Sequence, residues 1–134
     1  MESIICVDSS VLINHYREKN KEQTFFYSLV NRHEAFNISV ITEYEILIGA
    51  KTADQISYWK NIFSDFFILN YTSGVNEIAL NISFKLSLKG FNIEFKDLII
   101  AATALSKKIP LATINEKHFN SIEGLQLITP SSLL

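Results

Sequence analysis

A chain of 134 residues has the size of one ordinary domain, and 48% hydrophobic residues with 10 Phe and 5 Tyr give it ample material for a buried core. Its 4 Gly and 2 Pro leave little room for long flexible linkers. The formal net charge of −2 lacks the global basic stripe of a dedicated duplex-DNA binder, and one cysteine, Cys6, excludes an internal disulfide and a cysteine-based zinc cluster.

The whole of 1–134 reads as a single domain. Ile4-Ile5-Cys6-Val7 is a continuous apolar run, as expected of a buried parallel strand with a buried thiol in it. No basic region precedes an apolar stretch there, so no signal peptide is read. Asp8-Ser9-Ser10 ends the strand and caps a helix expected from Val11 to about Arg17. After a polar stretch from Glu18 to Gln23, Thr24 to Arg32 reads as a second helix and Ala35 to Val40 as a strand. Thr42 opens a helix to about Gly49, with Glu45 in its first turn, and Thr52 to Phe63 continues helically. Phe66 to Leu69 reads as a third strand.

Ser73 to Gly90 is a long amphipathic segment carrying Asn76, Leu80, Phe84 and Lys89, with Ile78, Ile82, Leu86 and Leu88 adding to its apolar side. Asp97 to Ser106 is apolar nearly all round, the mark of a buried helix. Its run from Leu98 to Leu105 is too short to span a membrane, and a cytoplasmic location is expected. Pro110 to Thr113 is strand-like, Asn115-Glu116-Lys117 is a polar turn, and Leu125 to Ile128 is the last apolar run. Strands alternating with helices predict an α/β sandwich with a mostly parallel sheet.

In open α/β sheets, ligands bind at the carboxyl ends of the strands. Asp8 follows the first strand, Glu45 lies on the helix after the second, Asp97 starts the buried helix, and Thr113 to Glu116 follow a later strand. Carboxylates gathered at one edge repel and need a cation, and oxygen ligands without cysteine or grouped histidine suit Mg²⁺ or Mn²⁺. Such a site serves phosphoryl transfer on a nucleic acid. Each acid also has a purely structural account: Asp8 as a helix cap, Thr42-Glu43-Tyr44-Glu45 as a capping box, Asp97 as a cap or a partner of the helix dipole. At this point both accounts stand.

Four segments carry a family likeness: Val7-Asp8-Ser9-Ser10-Val11-Leu12-Ile13; Glu45-Ile46-Leu47-Ile48-Gly49-Ala50; Asp97-Leu98-Ile99-Ile100-Ala101-Ala102-Thr103-Ala104-Leu105; and Thr113-Ile114-Asn115-Glu116-Lys117-His118-Phe119. In this order and separation they resemble the PIN-domain ribonucleases, above all the VapC-type toxins of toxin–antitoxin pairs, over essentially the whole chain. The resemblance implies a PIN-like three-layer sandwich and an endoribonuclease that hydrolyses RNA with Mg²⁺ or Mn²⁺. It makes Asp8, Glu45 and Asp97 the metal-binding acids, assisted by Ser9 or Ser10. It also implies a cognate antitoxin and a homodimer, with exposed aromatics on the second to fourth helices as antitoxin contacts. Asn115 stands where many PIN domains have Asp and joins the catalytic set in that weaker form, while adjacent Glu116 is a substitute for the missing acid.

Other residues read as structural. Glu43 is turned to another helix face than Glu45, Glu94 is a loop charge, and His118 is a packing or turn residue. His15 and His33 read as exposed, and Trp59 with Tyr58, Phe63, Phe66 and Phe67 reads as core or protein interface. Arg17, Lys19, Lys21, Lys51 and Lys96 are the basic residues available to meet phosphate. Two alternatives are a non-catalytic PIN-like binding module and a phosphatase of the haloacid dehalogenase kind. The latter wants a second Asp two residues after the first, where this chain has Ser10.

Overall fold

The computed structural model describes residues 3–133; residues 1, 2 and 134, which the single-domain reading included, lie outside the described residues. The apolar runs become β1 (Ile4–Val7), β2 (Ala35–Ser39), β3 (Phe67–Leu69), β4 (Leu111–Ala112) and β5 (Leu127–Ile128). They form one sheet in the order β3-β2-β1-β4-β5, with every neighbouring pair parallel. Between them run α1 (Ser9–Arg17), α2 (Phe25–Val30), α3 (Val40–Gly49), α4 (Ala53–Phe63), α5 (Ser73–Leu88), α6 (Phe95–Lys107) and the short α7 (Glu116–Phe119).

Side chains on a strand alternate between faces, and β1 shows what that does here. Ile5 and Val7 join a core with Val11, Leu12, Phe25, Leu29, Ile46, Trp59 and Phe63, beneath α1 to α4. Cys6 points the other way, into a core with Val75, Ala79, Ile82, Leu86, Ile99, Ile100 and Phe119 beneath α5 to α7. Two cores on two faces make three layers, as the sequence led us to expect.

Cys6 is 0% exposed, and burial, reinforced by the charge of Asp8, pushes its thiol from 9.0 up to about 12. A thiol-specific chromogenic reagent should therefore leave Cys6 untouched in native protein at neutral pH and modify it on denaturation. Fast native labelling would contradict this placement. The linkage has a definite sign. The folded thiol keeps its proton beyond the ordinary value, so its contribution is fully present below pH 9 and is lost as pH rises toward 12.

Several boundaries differ from the sequence reading for local reasons. α3 begins at Val40, because Ser39 caps it, its Oγ accepting from the Ile41 N–H at 3.1 Å. Thr42 is thus inside the helix and the capping box proposed at Thr42–Glu45 does not form; Glu45 lies in the second turn, not the first. A capping box does form at Thr52 and Gln55, at the head of α4. On α5 the buried face is Val75, Ala79, Ile82 and Leu86, whereas Leu80, Phe84 and Leu88 are exposed, so Leu88 does not lie on the apolar side expected of it. Lys85 and Lys89 both reach Glu123. His15 and His33 are partly buried rather than exposed: His15 Nδ1 lies 2.6 Å from Thr24 Oγ1 and its ring packs edge-on to Phe26. Trp59 and Phe63 are core, while Tyr27 on α2 and Tyr44 on α3 are exposed. Among the described residues, no helix is long and apolar enough to cross a membrane.

Candidate active site

The chain runs outward from β1 through β2 to β3, then returns to the other side of β1 with β4. That reversal of strand order opens a crevice beyond the carboxyl end of the central strand. Asp8 is the first residue after β1 and is 2% exposed. It occupies the N-cap position of α1, yet its side chain makes no capping bond. Its Oδ2 instead accepts from Ser10 Oγ at 2.7 Å and from Thr113 Oγ1 at 2.8 Å. The β1–β4 register, Val7 opposite Ala112, is what sets Asp8 beside Thr113.

Thr113 is fully buried and links onward, accepting from the Asn115 N–H at 3.0 Å, while the Ile114 N–H donates to Ser10 Oγ at 3.3 Å. The turn after β4 is in this way fastened to the turn after β1. From sequence Thr113 had a place after a later strand but no role; in the structure it follows β4 as Asp8 follows β1. Ser10, where a phosphatase of the alternative kind would need Asp, is committed to orienting Asp8.

Asp97 is 4% exposed and sits in the first turn of α6, three residues after the N-cap position, which Glu94 holds without a side-chain cap bond. Asp97 is therefore not the cap. Burial raises its carboxyl above the ordinary value. The positive side of His118 opposes this, Asp8 adds to it, and Lys96 opposes it. His118 Nδ1 is 3.0 Å from Asp97 Oδ2, a bond that puts the ring proton on Nδ1 while Asp97 is ionised. This corrects the reading of His118 as a packing or turn residue: Phe119 is buried next to it and aims the imidazole at the acid.

Glu45 reaches the cluster from α3. Its Oε2 accepts from Lys96 Nζ at 2.8 Å, and its Oε1 is buried without a hydrogen-bond partner. One turn back on the same helix the Thr42 hydroxyl is likewise buried and unpartnered. Asn115 heads α7, exposed, with no side-chain capping bond. Among the described residues, no hydrogen bond ties its amide to the three acids. Glu116 faces a separate depression with Asn120, Leu127 and Thr129, away from the one that Asp97 shares with Asn92, Lys117 and His118.

Carboxylate oxygens, one of them buried and unpartnered, suit a hard divalent cation in donor chemistry. In position they are less ready: among the described residues no three His, Cys, Asp or Glu side chains are gathered as a metal-holding group. Lys96 currently answers part of the negative charge.

A parallel α/β sheet with a buried acid, Asp8, at its strand-order reversal defines a class of acidic-site proteins. Within that class the match is specific: a family model described as PIN domain fits residues 5–125, and the chain belongs to the PIN-domain family. It is 35% identical to Ribonuclease VapC1 of Methanocaldococcus jannaschii, over 94% of this chain and 86% of that protein. It is 29% identical to Ribonuclease VapC10 of Mycobacterium tuberculosis, over 92% of this chain and 91% of that one. Among solved structures it superposes on a toxin–antitoxin complex from Klebsiella pneumoniae with a TM-score of 0.76 at 26% identity, covering 94% of this chain and 97% of that one. VapBC-1 from nontypeable Haemophilus influenzae shares the fold with a TM-score of 0.84 at 23% identity, covering 94% and 97%.

Proposed function

We propose that this chain is a metal-dependent endoribonuclease, the toxin of a toxin–antitoxin pair acting in the cytoplasm, with Asp8, Glu45 and Asp97 as its cation-holding acids. What supports the proposal is a PIN domain whose curated relatives are named ribonucleases, with Asp8 buried just after the central strand, Asp97 buried in the first turn of α6, and Lys96 beside Asp97 bonded to Glu45 at 2.8 Å. Mg²⁺ or Mn²⁺ held there supplies Lewis-acid stabilisation of the charge that develops during phosphodiester hydrolysis.

The chain's own residues do the positioning. Ser10 and Thr113 fix Asp8 through Oδ2. His118 fixes Asp97 through its Oδ2. Buried Glu45 Oε1 contributes an acceptor with no other partner. Asn115 borders this group as a neutral side chain, which makes a second cation site the weaker part of the arrangement. Exposed Tyr27 and Tyr44 are offered as contacts for an antitoxin, and the relatives solved as VapBC complexes support such a partner; a homodimer belongs to the same proposal.

The direct test is cleavage of a mixed RNA pool by purified protein with Mg²⁺ or Mn²⁺, with EDTA, and with DNA of matching sequence. RNA cleavage that EDTA abolishes is the expected result. RNA binding with no cleavage under any divalent ion would favour the non-catalytic binding module, to which Asn115 lends some support.

Thr113→Val gives a finer result. It keeps the buried volume and removes one of the two hydrogen bonds that orient Asp8. Cleavage should fall about 10- to 100-fold, as for lost outer-shell partners of metal ligands. Stability should fall by about 1–3 kcal/mol, because the Asp8 carboxylate and the Asn115 N–H each lose a partner. An unchanged rate would mean that Thr113 does not position Asp8.

A further inference from the structure

Lys96 precedes one of the proposed ligands and bonds to another. Its Nζ lies 2.8 Å from Glu45 Oε2, with the lysine side chain 39% exposed and the glutamate 28%. The Glu45 hydrogen bond holds its ammonium above the ordinary lysine value against partial burial, and the charges of Glu45, Asp97 and Asp8 push the same way. A single ammonium thus sits in the field of all three acids. Four other lysines are engaged elsewhere: Lys21 donates to the carbonyls of His15 and Tyr16, Lys51 to that of Ile48, and Lys85 and Lys89 reach Glu123. Lys117 shares the depression with Asp97, but among the described residues no ion pair joins it to the acids.

Two further observations fit the same picture. Glu45 is held by one oxygen only, leaving Oε1 buried and unpartnered. No group of three ligand side chains stands assembled among the described residues. The group that answers the Glu45 carboxylate is a side-chain cation, Lys96, at 2.8 Å.

We propose that Lys96 is an internal counter-cation that closes the metal-free site and competes with the divalent ion for Glu45. The inference rests on the reading of Asp8, Glu45 and Asp97 as the cation-holding acids. Lysine suits the role because its charge is a compact point on a flexible four-carbon stem, free to swing away when a doubly charged ion arrives. An arginine would hold the carboxylate in a fixed fork and release it less readily. Metal-free chain stays stable because Lys96 offsets the mutual repulsion of the carboxylates, and the divalent ion must displace it to bind.

The test measures Mn²⁺ affinity by titration calorimetry, and thermal unfolding in EDTA and in saturating Mn²⁺. Wild type is compared with Lys96→Met, Lys96→Gln, Lys96→Arg and Asp97→Asn. Lys96→Met and Lys96→Gln should bind Mn²⁺ roughly three- to tenfold more tightly, the scale of one partly exposed competing charge at contact. Both should unfold at lower temperature than wild type in EDTA and match it in saturating Mn²⁺. Lys96→Arg should bind no more tightly than wild type. Unchanged or weaker Mn²⁺ affinity in the Met and Gln variants, with wild-type binding still lost in Asp97→Asn, would overturn the role of Lys96 and leave the metal site standing. Equal or absent Mn²⁺ binding in wild type and Asp97→Asn would overturn the site itself and the inference with it.

Discussion

Asp97→Asn should leave the chain folded and reduce RNA cleavage on the order of 10³-fold. A divalent ion is worth several kcal/mol of charge stabilisation in phosphoryl transfer, and roughly 1.4 kcal/mol makes a factor of ten. Asp97 has no other task in the structure that would account for such a loss. It is not the cap of α6, and it lies in the crevice within hydrogen-bond distance of His118. Its folded-state carboxyl is raised by burial, so whatever it contributes to stability is lost as pH climbs through its raised range. At neutral pH the ionised, buried form is a net cost, and the asparagine variant in EDTA should melt no lower than wild type. Initial rates on a labelled RNA, with circular dichroism to check the fold, decide the matter. Asp8→Asn should lose as much activity. A rate within threefold of wild type in either variant would remove that acid from the site.

Phe119→Ala should destabilise the protein by about 3–5 kcal/mol, the usual cost of emptying a buried aromatic position. Phe119 is 1% exposed and packs in the core beneath α5 and α6. α7 has only four residues, too few to hold a helix without tertiary contacts. The phenyl ring is its anchor, and His118 rides on that anchor. A urea titration should show the midpoint falling with little change in slope. Activity should drop along with stability, because the imidazole loses its hold on Asp97. A loss of less than about 1 kcal/mol would show that the core closes over the gap unusually well.

Much of the architecture was legible in the sequence because the signals were strong and local. The run Ile4 to Val7 has no polar residue, as a strand covered on both faces requires, and it lies at the centre of the sheet. The apolar stretch after Asp97 could only be a buried helix. The failures came where two local rules competed. Both Ser39 and Thr42 can cap a helix; Ser39 won because the strand ends there, which moved Glu45 a turn deeper into α3. On α5 the chain has more apolar residues than one face can bury, so periodicity alone did not separate Ile82 and Leu86 from Leu80, Phe84 and Leu88.

For the candidate site, the sequence supplied the acids but not the groups that aim them. Thr113 acts through a register between strands far apart in the chain, and no local pattern reports a register. His118 reads as a turn residue by its neighbours and takes its meaning only from Asp97, 21 positions away. Lys96 looks like any first-turn lysine until Glu45 arrives from another helix. In each case the missing information was a long-range contact.

The place of β1 between β2 and β4 has a consequence for how such a protein is made. Asp8 waits for Thr113, 105 residues later, before its orientation is set. During synthesis the amino-terminal part emerges first and folds as far as its contacts allow. Its acids are then in the open, unaligned, with the strand that finishes the crevice still unmade. A chain built in this order cannot complete the bond that orients Asp8 until Thr113 has been made.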